Sequence, residues 1–113
     1  MVKGMIPYKN FQELELRVAE IVEAKEHPGA DKLYVLIIDI AGEKRQIVAG
    51  IRASYKVEEL IGKKVIVIAN LEPAVIRGEV SNGMLLAASS PLCPTCPILI
   101  TPEKDIPSGA IVK

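Results

Sequence analysis

Asn70-Leu71-Glu72-Pro73-Ala74-Val75-Ile76-Arg77-Gly78-Glu79-Val80-Ser81-Asn82-Gly83-Met84-Leu85-Leu86-Ala87-Ala88 is the stretch on which the reading of this chain turns. It follows one apolar run, Val65 to Ala69, and re-enters another at Met84-Leu85-Leu86. Between them lie two breakers, Pro73 and Gly78, and the pair Asn82-Gly83, the strongest short hairpin signal. One guanidinium (Arg77), one hydroxyl (Ser81), two amides (Asn70, Asn82) and one thioether (Met84) are gathered there. Its glycines let a ligand's backbone come close. A polar loop held between two rigid strands is where binding residues tend to be placed. Singly, each residue is ordinary: Asn-Gly makes a turn, Met84 suits a core gap, and Arg77 suits a solvated surface. The set on one loop points to binding.

Outward from this loop the chain reads as short strands. Leu14, Leu16 and Val18 alternate with polar residues, the period of a half-buried strand. The phase slips at Ala19-Glu20-Ile21, where a bulge or a sharp bend is expected. Upstream, Asn10-x-x-Glu13 has the form of a helix cap, with Phe11 and Leu14 turned inward. His27-Pro28-Gly29-Ala30-Asp31 is a turn. Leu33 to Ile40 is apolar on both faces, which implies a second layer or a partner on its outer face. Arg45 to Ile51 is a third strand, Ser54 to Ile61 a short helix stopped by Gly62, Lys63 to Ala69 a fourth strand and Met84 to Ala88 a fifth. Ile98-Leu99-Ile100 and Ala110-Ile111-Val112 are two further short strands. Three strands, a helix and two strands is the order of the OB-fold, a five-stranded, partly open Greek-key barrel. The expected fold class is therefore all-β, an OB-fold barrel with a C-terminal strand extension. One domain is expected over residues 1–113, with the barrel core at about 12–90 and the extension at 91–113.

Composition bounds the function. Lysine and arginine number 14, and so do aspartate and glutamate, so a basic footprint for nucleic acid would have to be local. No apolar run is long enough to span a membrane, and Met1 to Pro7 lacks the apolar core of a signal peptide. A cytoplasmic protein with no membrane association is expected. No phosphate-binding loop, dinucleotide fingerprint, nucleophile elbow or zinc-protease motif is present, and one histidine makes a triad improbable. Cys93-Pro94-Thr95-Cys96 is half of a zinc site, and its prolines disfavour the helix a thioredoxin-type pair requires. A disulfide or two free thiols is expected there, with no metal and no cofactor.

Asn70-Leu71-Glu72-Pro73, Arg77-Gly78 and Ser81-x-Gly83-Met84 with Leu85-Leu86-Ala87-Ala88 together resemble the tRNA-binding OB-fold domain family. That domain closes many methionyl-tRNA synthetases, occurs in the endothelial monocyte-activating polypeptide, and exists as free-standing dimeric proteins. The likeness extends through Phe11-x-x-Leu14-Glu15-Leu16-Arg17-Val18, His27-Pro28-x-Ala30-Asp31-Lys32-Leu33 and Arg45 to Ile51, in order over roughly residues 8 to 90. The sequence departs from the family at Ser89 to Pro97, where many members carry a short charged turn.

The resemblance implies a non-catalytic module that binds tRNA by shape and largely without regard to sequence. It implies a homodimer, and a methionyl-tRNA synthetase catalytic subunit as a further partner. Arg77, Ser81 and Met84 would carry the binding, supported by Asn70, Asn82, Lys32, Arg45 and Lys64. Aromatic residues are too few for a stacking-driven single-strand binder, whereas contacts to phosphates and 2′-hydroxyls suit the composition. The alternative from another class is a dimeric, chaperone-like, secretion-related protein of the same fold that binds polypeptide.

Overall fold

A short helix, α1 (Tyr8–Gln12), leads into three strands, β1 (Leu16–Glu26), β2 (Tyr34–Ile40) and β3 (Glu43–Ala49). After them come the one-turn helix α2 (Val57–Leu60) and β4 (Lys64–Ile68). Next are β5 (Ala74–Ile76), β6 (Glu79–Ser81), β7 (Met84–Leu85), β8 (Ala87–Ser90), β9 (Cys93–Leu99) and β10 (Ile111–Val112). The structure is a computed structural model that describes residues 3–113. Met1 and Val2, cited above against a signal peptide, lie outside the described residues. Among those described, no helix is long and apolar enough to cross a membrane.

The main sheet runs β3-β2-β1-β4-β7, antiparallel throughout, with β10 also on β1. The sheet curls strongly, and with α2 between β3 and β4 it forms the OB-like barrel expected from the element order. β1 is long because it serves three partners. Leu16 to Glu20 pair with β4, and Glu20 to Glu26 pair with β2. β10 takes up the length that β2 leaves, pairing Leu16 with Val112 and Arg17 with Ile111.

The phase slip in β1 has a different cause from the one expected. Leu16 and Val18 pack with Ile66, Ile68 and Phe11, whereas Ala19 and Ile21 belong to the main core with Leu36, Ile38, Ile47, Val65 and Val67. Both faces of β1 are buried at Val18-Ala19, so alternation fails without any bulge there. The register shift falls later, between Ile21 and Glu23. Each fully buried aliphatic side chain in the main core contributes about 1.5–3 kcal/mol of transfer free energy.

Other expectations shift by a few residues. α1 begins at Tyr8 behind Pro7, so Asn10 lies inside the helix and caps nothing; Phe11 packs inward but Leu14 is exposed. α2 forms only over Val57–Leu60, its first turn closed by the Glu59 carboxylate accepting the Lys56 N–H at 2.7 Å. β2 needs no external cover at Val35, which is 2% exposed within this chain. The fifth strand is split into β7 and β8 at Leu86, and β8 pairs with β9 as a separate hairpin whose end carries a Cys93–Cys96 disulfide.

The stretch read as a polar loop is itself a hairpin. Ala74, Val75 and Ile76 pair with Ser81, Val80 and Glu79. Its turn is Arg77-Gly78, with φ of +53° and +90°, the sign pattern of a type I′ turn. Asn82-Gly83, the favoured turn in the sequence, instead joins β6 to β7. That junction closes the barrel. The Asn82 N–H donates to the Gln46 carbonyl at 2.8 Å, and the Val48 N–H donates to Ser81 Oγ at 3.0 Å, tying the β3 edge. Gly83, at φ +132°, lies so close to β4 that a Cβ would meet the Ile68 carbonyl oxygen at 3.2 Å.

Candidate functional site

The β5–β6 hairpin stands over the end of β3 and encloses an open cleft of about 520 Å³. Its walls are Ala74 and Ile76 from the hairpin, Gly50 and Ile51 after β3, Met84 of β7, and Pro97 of β9. Among the described residues, Glu72 supplies the only charge in the lining. A second depression of about 340 Å³ adjoins it, sharing Gly50 and Pro97 and reaching Lys32, Ala53 and Thr95. The two make a groove with an apolar floor near Met84 and a cation at the far end, the concave shape expected of a binding site.

Arg77 is at the hairpin tip and is exposed. Each of the other three arginines is engaged. Arg17 pairs with Glu15 and donates to the Gly109 carbonyl; Arg45 pairs with Glu43 and donates to the Ala69 carbonyl; Arg52 pairs with Glu26 at 3.1 Å. Arg77 alone among them has no ion pair or hydrogen bond among the described residues. Met84 is 45% exposed and lines the cleft, which places it outside the core and on the groove.

The remaining sequence candidates divide. Asn82 adjoins the cleft wall at half-burial and uses its backbone on β3. Ser81 also lines the cleft, but it is 4% exposed and its hydroxyl is committed, accepting from Val48 N and donating to the Gly83 carbonyl at 3.0 Å. Ser81 therefore shapes the loop, and its hydroxyl is not free for a ligand. Asn70 is a clamp just after β4: its Oδ1 accepts the Glu15 N–H and its Nδ2 donates to the Glu13 carbonyl, both at 2.7 Å. Lys64 reaches Asp105 at 3.0 Å and the Ile106 carbonyl at 2.6 Å, away from the groove. Arg45 is held by its two partners and Lys32 stands exposed at the groove's end. Of the candidates, Met84, Ser81 and Lys32 line the two depressions, Asn82 lies between the lining residues Ser81 and Gly83, Arg77 stands at the tip of the hairpin outside the lining, and Asn70, Arg45 and Lys64 line neither.

One residue of consequence was read only as part of a turn. His27 is 4% exposed. The Gly29 N–H donates to its Nδ1 at 2.9 Å, which leaves the ring proton on Nε2; that nitrogen donates to the Ile76 carbonyl at 3.1 Å. His27 thereby joins the β1–β2 turn to the residue preceding Arg77. Its position beside Pro28-Gly29 marks a turn, and nothing local reveals a partner 49 residues away.

Comparison with known proteins gives consistent results. A family described as "Putative tRNA binding domain" matches residues 16–111. A methionine–tRNA ligase of Methanothrix thermoacetophila is 50% identical over 111 residues, 98% of this chain but 16% of that protein. The chain spans 14–16% of the length of the curated relatives it matches. Among solved structures, a MetRS-related protein from Pyrococcus horikoshii aligns with a TM-score of 0.89 at 32% identity, over 98% of this chain and all of that one. A chaperone, CsaA, from Bacillus anthracis aligns with a TM-score of 0.87 at 26% identity, over 97% of this chain and all of that one.

Proposed function

From the premise that this chain belongs to the tRNA-binding domain family, we propose that it binds tRNA through the groove and the β5–β6 hairpin, as a non-catalytic module serving methionyl-tRNA synthesis. The observation that carries the proposal is Arg77: an arginine with no partner among the described residues, on a rigid two-residue turn beside a concave surface. A guanidinium so placed suits a phosphate, which it can meet with two parallel N–H donors. Lys32 supplies a second cation at the groove's other end, and Met84 with Ile76 offers apolar contact between them. Few phosphate contacts and little stacking surface favour recognition of a folded RNA by shape. The same family membership supports association with a methionyl-tRNA synthetase catalytic subunit and a cytoplasmic location as further parts of the proposal.

A homodimer belongs to the proposal. Tyr8, Leu14 and Ile111 are exposed and border a depression of about 370 Å³ formed by the N- and C-terminal segments. Closed two-fold pairing is the usual way to cover such a surface. The apolar outer face of β2, which first suggested a partner, is largely covered within the chain.

A second proposal, polypeptide binding, draws on the apolar floor of the cleft and on the likeness to CsaA, a protein whose name carries the word chaperone. A mobility-shift titration with purified tRNA, single-stranded DNA and an unfolded polypeptide, at two salt concentrations, separates the two. Salt-dependent binding of tRNA above the others supports the first; salt-insensitive binding of polypeptide alone replaces it with the second.

A further inference from the structure

We propose that His27 is a positioning residue that sets the β5–β6 tip, and that tRNA affinity depends on it although its ring is buried; this rests on the tRNA proposal above. Four observations converge. The ring is 4% exposed, so it meets no ligand directly. Both of its nitrogens are used, one accepting from Gly29 and one donating to Ile76. A Cβ at Gly29 would lie 4.0 Å from the Arg77 carbonyl oxygen, so the two turns are close neighbours. Among the described residues the hairpin's other hydrogen-bonded ties all lie on β6 and the residue after it: Gln46 Nε2 donates to Glu79 Oε1 at 3.3 Å and to the Val80 carbonyl at 2.9 Å, and Ser81 and Asn82 bond to β3.

Without His27 the hairpin is thus anchored along one strand only. The tip carries a non-glycine residue at φ +53°, a conformation that L residues adopt at some cost. Loss of the Ile76 bond frees the backbone of the turn and with it the direction in which the Arg77 side chain leaves the hairpin. A turn that must be ordered on binding then pays an entropy cost the latched hairpin has already met.

The two ring nitrogens can be replaced separately. Asparagine offers an acceptor near the Nδ1 position and keeps the bond from Gly29; glutamine offers a donor near the Nε2 position and keeps the reach to Ile76. His27→Asn and His27→Ala are expected to weaken tRNA binding about three- to tenfold, the scale of one neutral hydrogen bond, with His27→Gln close to wild type. Amide hydrogen exchange at residues 76–79 should accelerate in the Asn and Ala variants and not in Gln. In an Arg77→Asn background the His27→Ala loss should vanish, because the group being positioned is gone. A loss that persists undiminished in that background overturns the proposal, as does unchanged exchange at the tip in His27→Asn. If the wild type binds no tRNA, the functional proposal fails, and the exchange rates alone decide whether His27 is the latch. If His27→Ala does not fold, the Asn and Gln variants carry the comparison.

Discussion

The hydroxyl of Ser81 accepts the N–H of Val48 at 3.0 Å, in a contact where neither group reaches water. A serine on a hairpin thereby does the work of a ladder bond between two strand edges. Removing it leaves the buried Val48 N–H without a partner. Ser81→Ala is expected to destabilise the fold by about 1–3 kcal/mol, the cost of an unsatisfied buried donor. Denaturant titration measures the loss, while the salt slope of tRNA binding by the folded fraction should not change.

Arg77→Asn tests the charge without disturbing the turn, since Asn-Gly suits the type I′ conformation at least as well as Arg-Gly. Thermal stability should hold or rise slightly. Affinity should fall for all tRNAs alike, and the slope of log affinity against log salt should lessen by about one, the signature of one lost phosphate contact. An unchanged slope in the folded variant would remove Arg77 from the RNA interface.

Met84→Ala separates the core role that is ordinary for a methionine from a role on the groove. A buried methionine truncated to alanine costs about 2–5 kcal/mol. Met84 is 45% exposed, so the expected loss of stability is small and the effect should appear in affinity. Melting and binding measured on one preparation decide between them; a large drop in melting temperature with intact affinity would place Met84 in the core.

Asn70→Ala should act on the junction between the end of β4 and the segment entering β1. It removes both amide contacts that hold Glu13 and Glu15 against the end of β4. Stability is expected to fall by about 1–2 kcal/mol, on the scale of hydrogen bonds lost at a partly exposed site. Exchange at the amides of residues 13–16 should quicken, with the groove's affinity for tRNA unaltered.

Much of this architecture could be read from residue order, and the limits of that reading are physical. Val65 to Ala69 and Arg45 to Ile51 announce themselves as strands because their apolar runs are short and bounded by turn residues. Arg77 and Met84 were legible as candidates only as members of a set on one loop, since singly a solvated surface and a core gap are their ordinary places. Ser81 and Asn70 were not legible as closure and clamp, since their partners, Val48 and Glu15, lie 33 and 55 residues away. The hairpin was misplaced because Asn82-Gly83 has the stronger local preference for a turn. Pairing of Val75 with Val80 and the seat of Gly83 against Ile68 outweigh that preference, and neither is visible in a short window. His27 was hidden for the same reason.

The division of β1 among three partners has a kinetic consequence. Residues Glu20 to Glu26 find β2 across a short turn, but Leu16 and Arg17 find their remaining neighbour in Ile111 and Val112, at the opposite end of the described chain. Contacts so distant in sequence close late, and they place small barrels among the slower two-state folders. Until β10 docks, the first residues of β1 present an open row of N–H and C=O groups on that side. A folding chain in that condition is a template for a second chain's strand. Deleting Ile111 and Val112 should therefore cost more in refolding yield at high protein concentration than in the stability of molecules that have already folded.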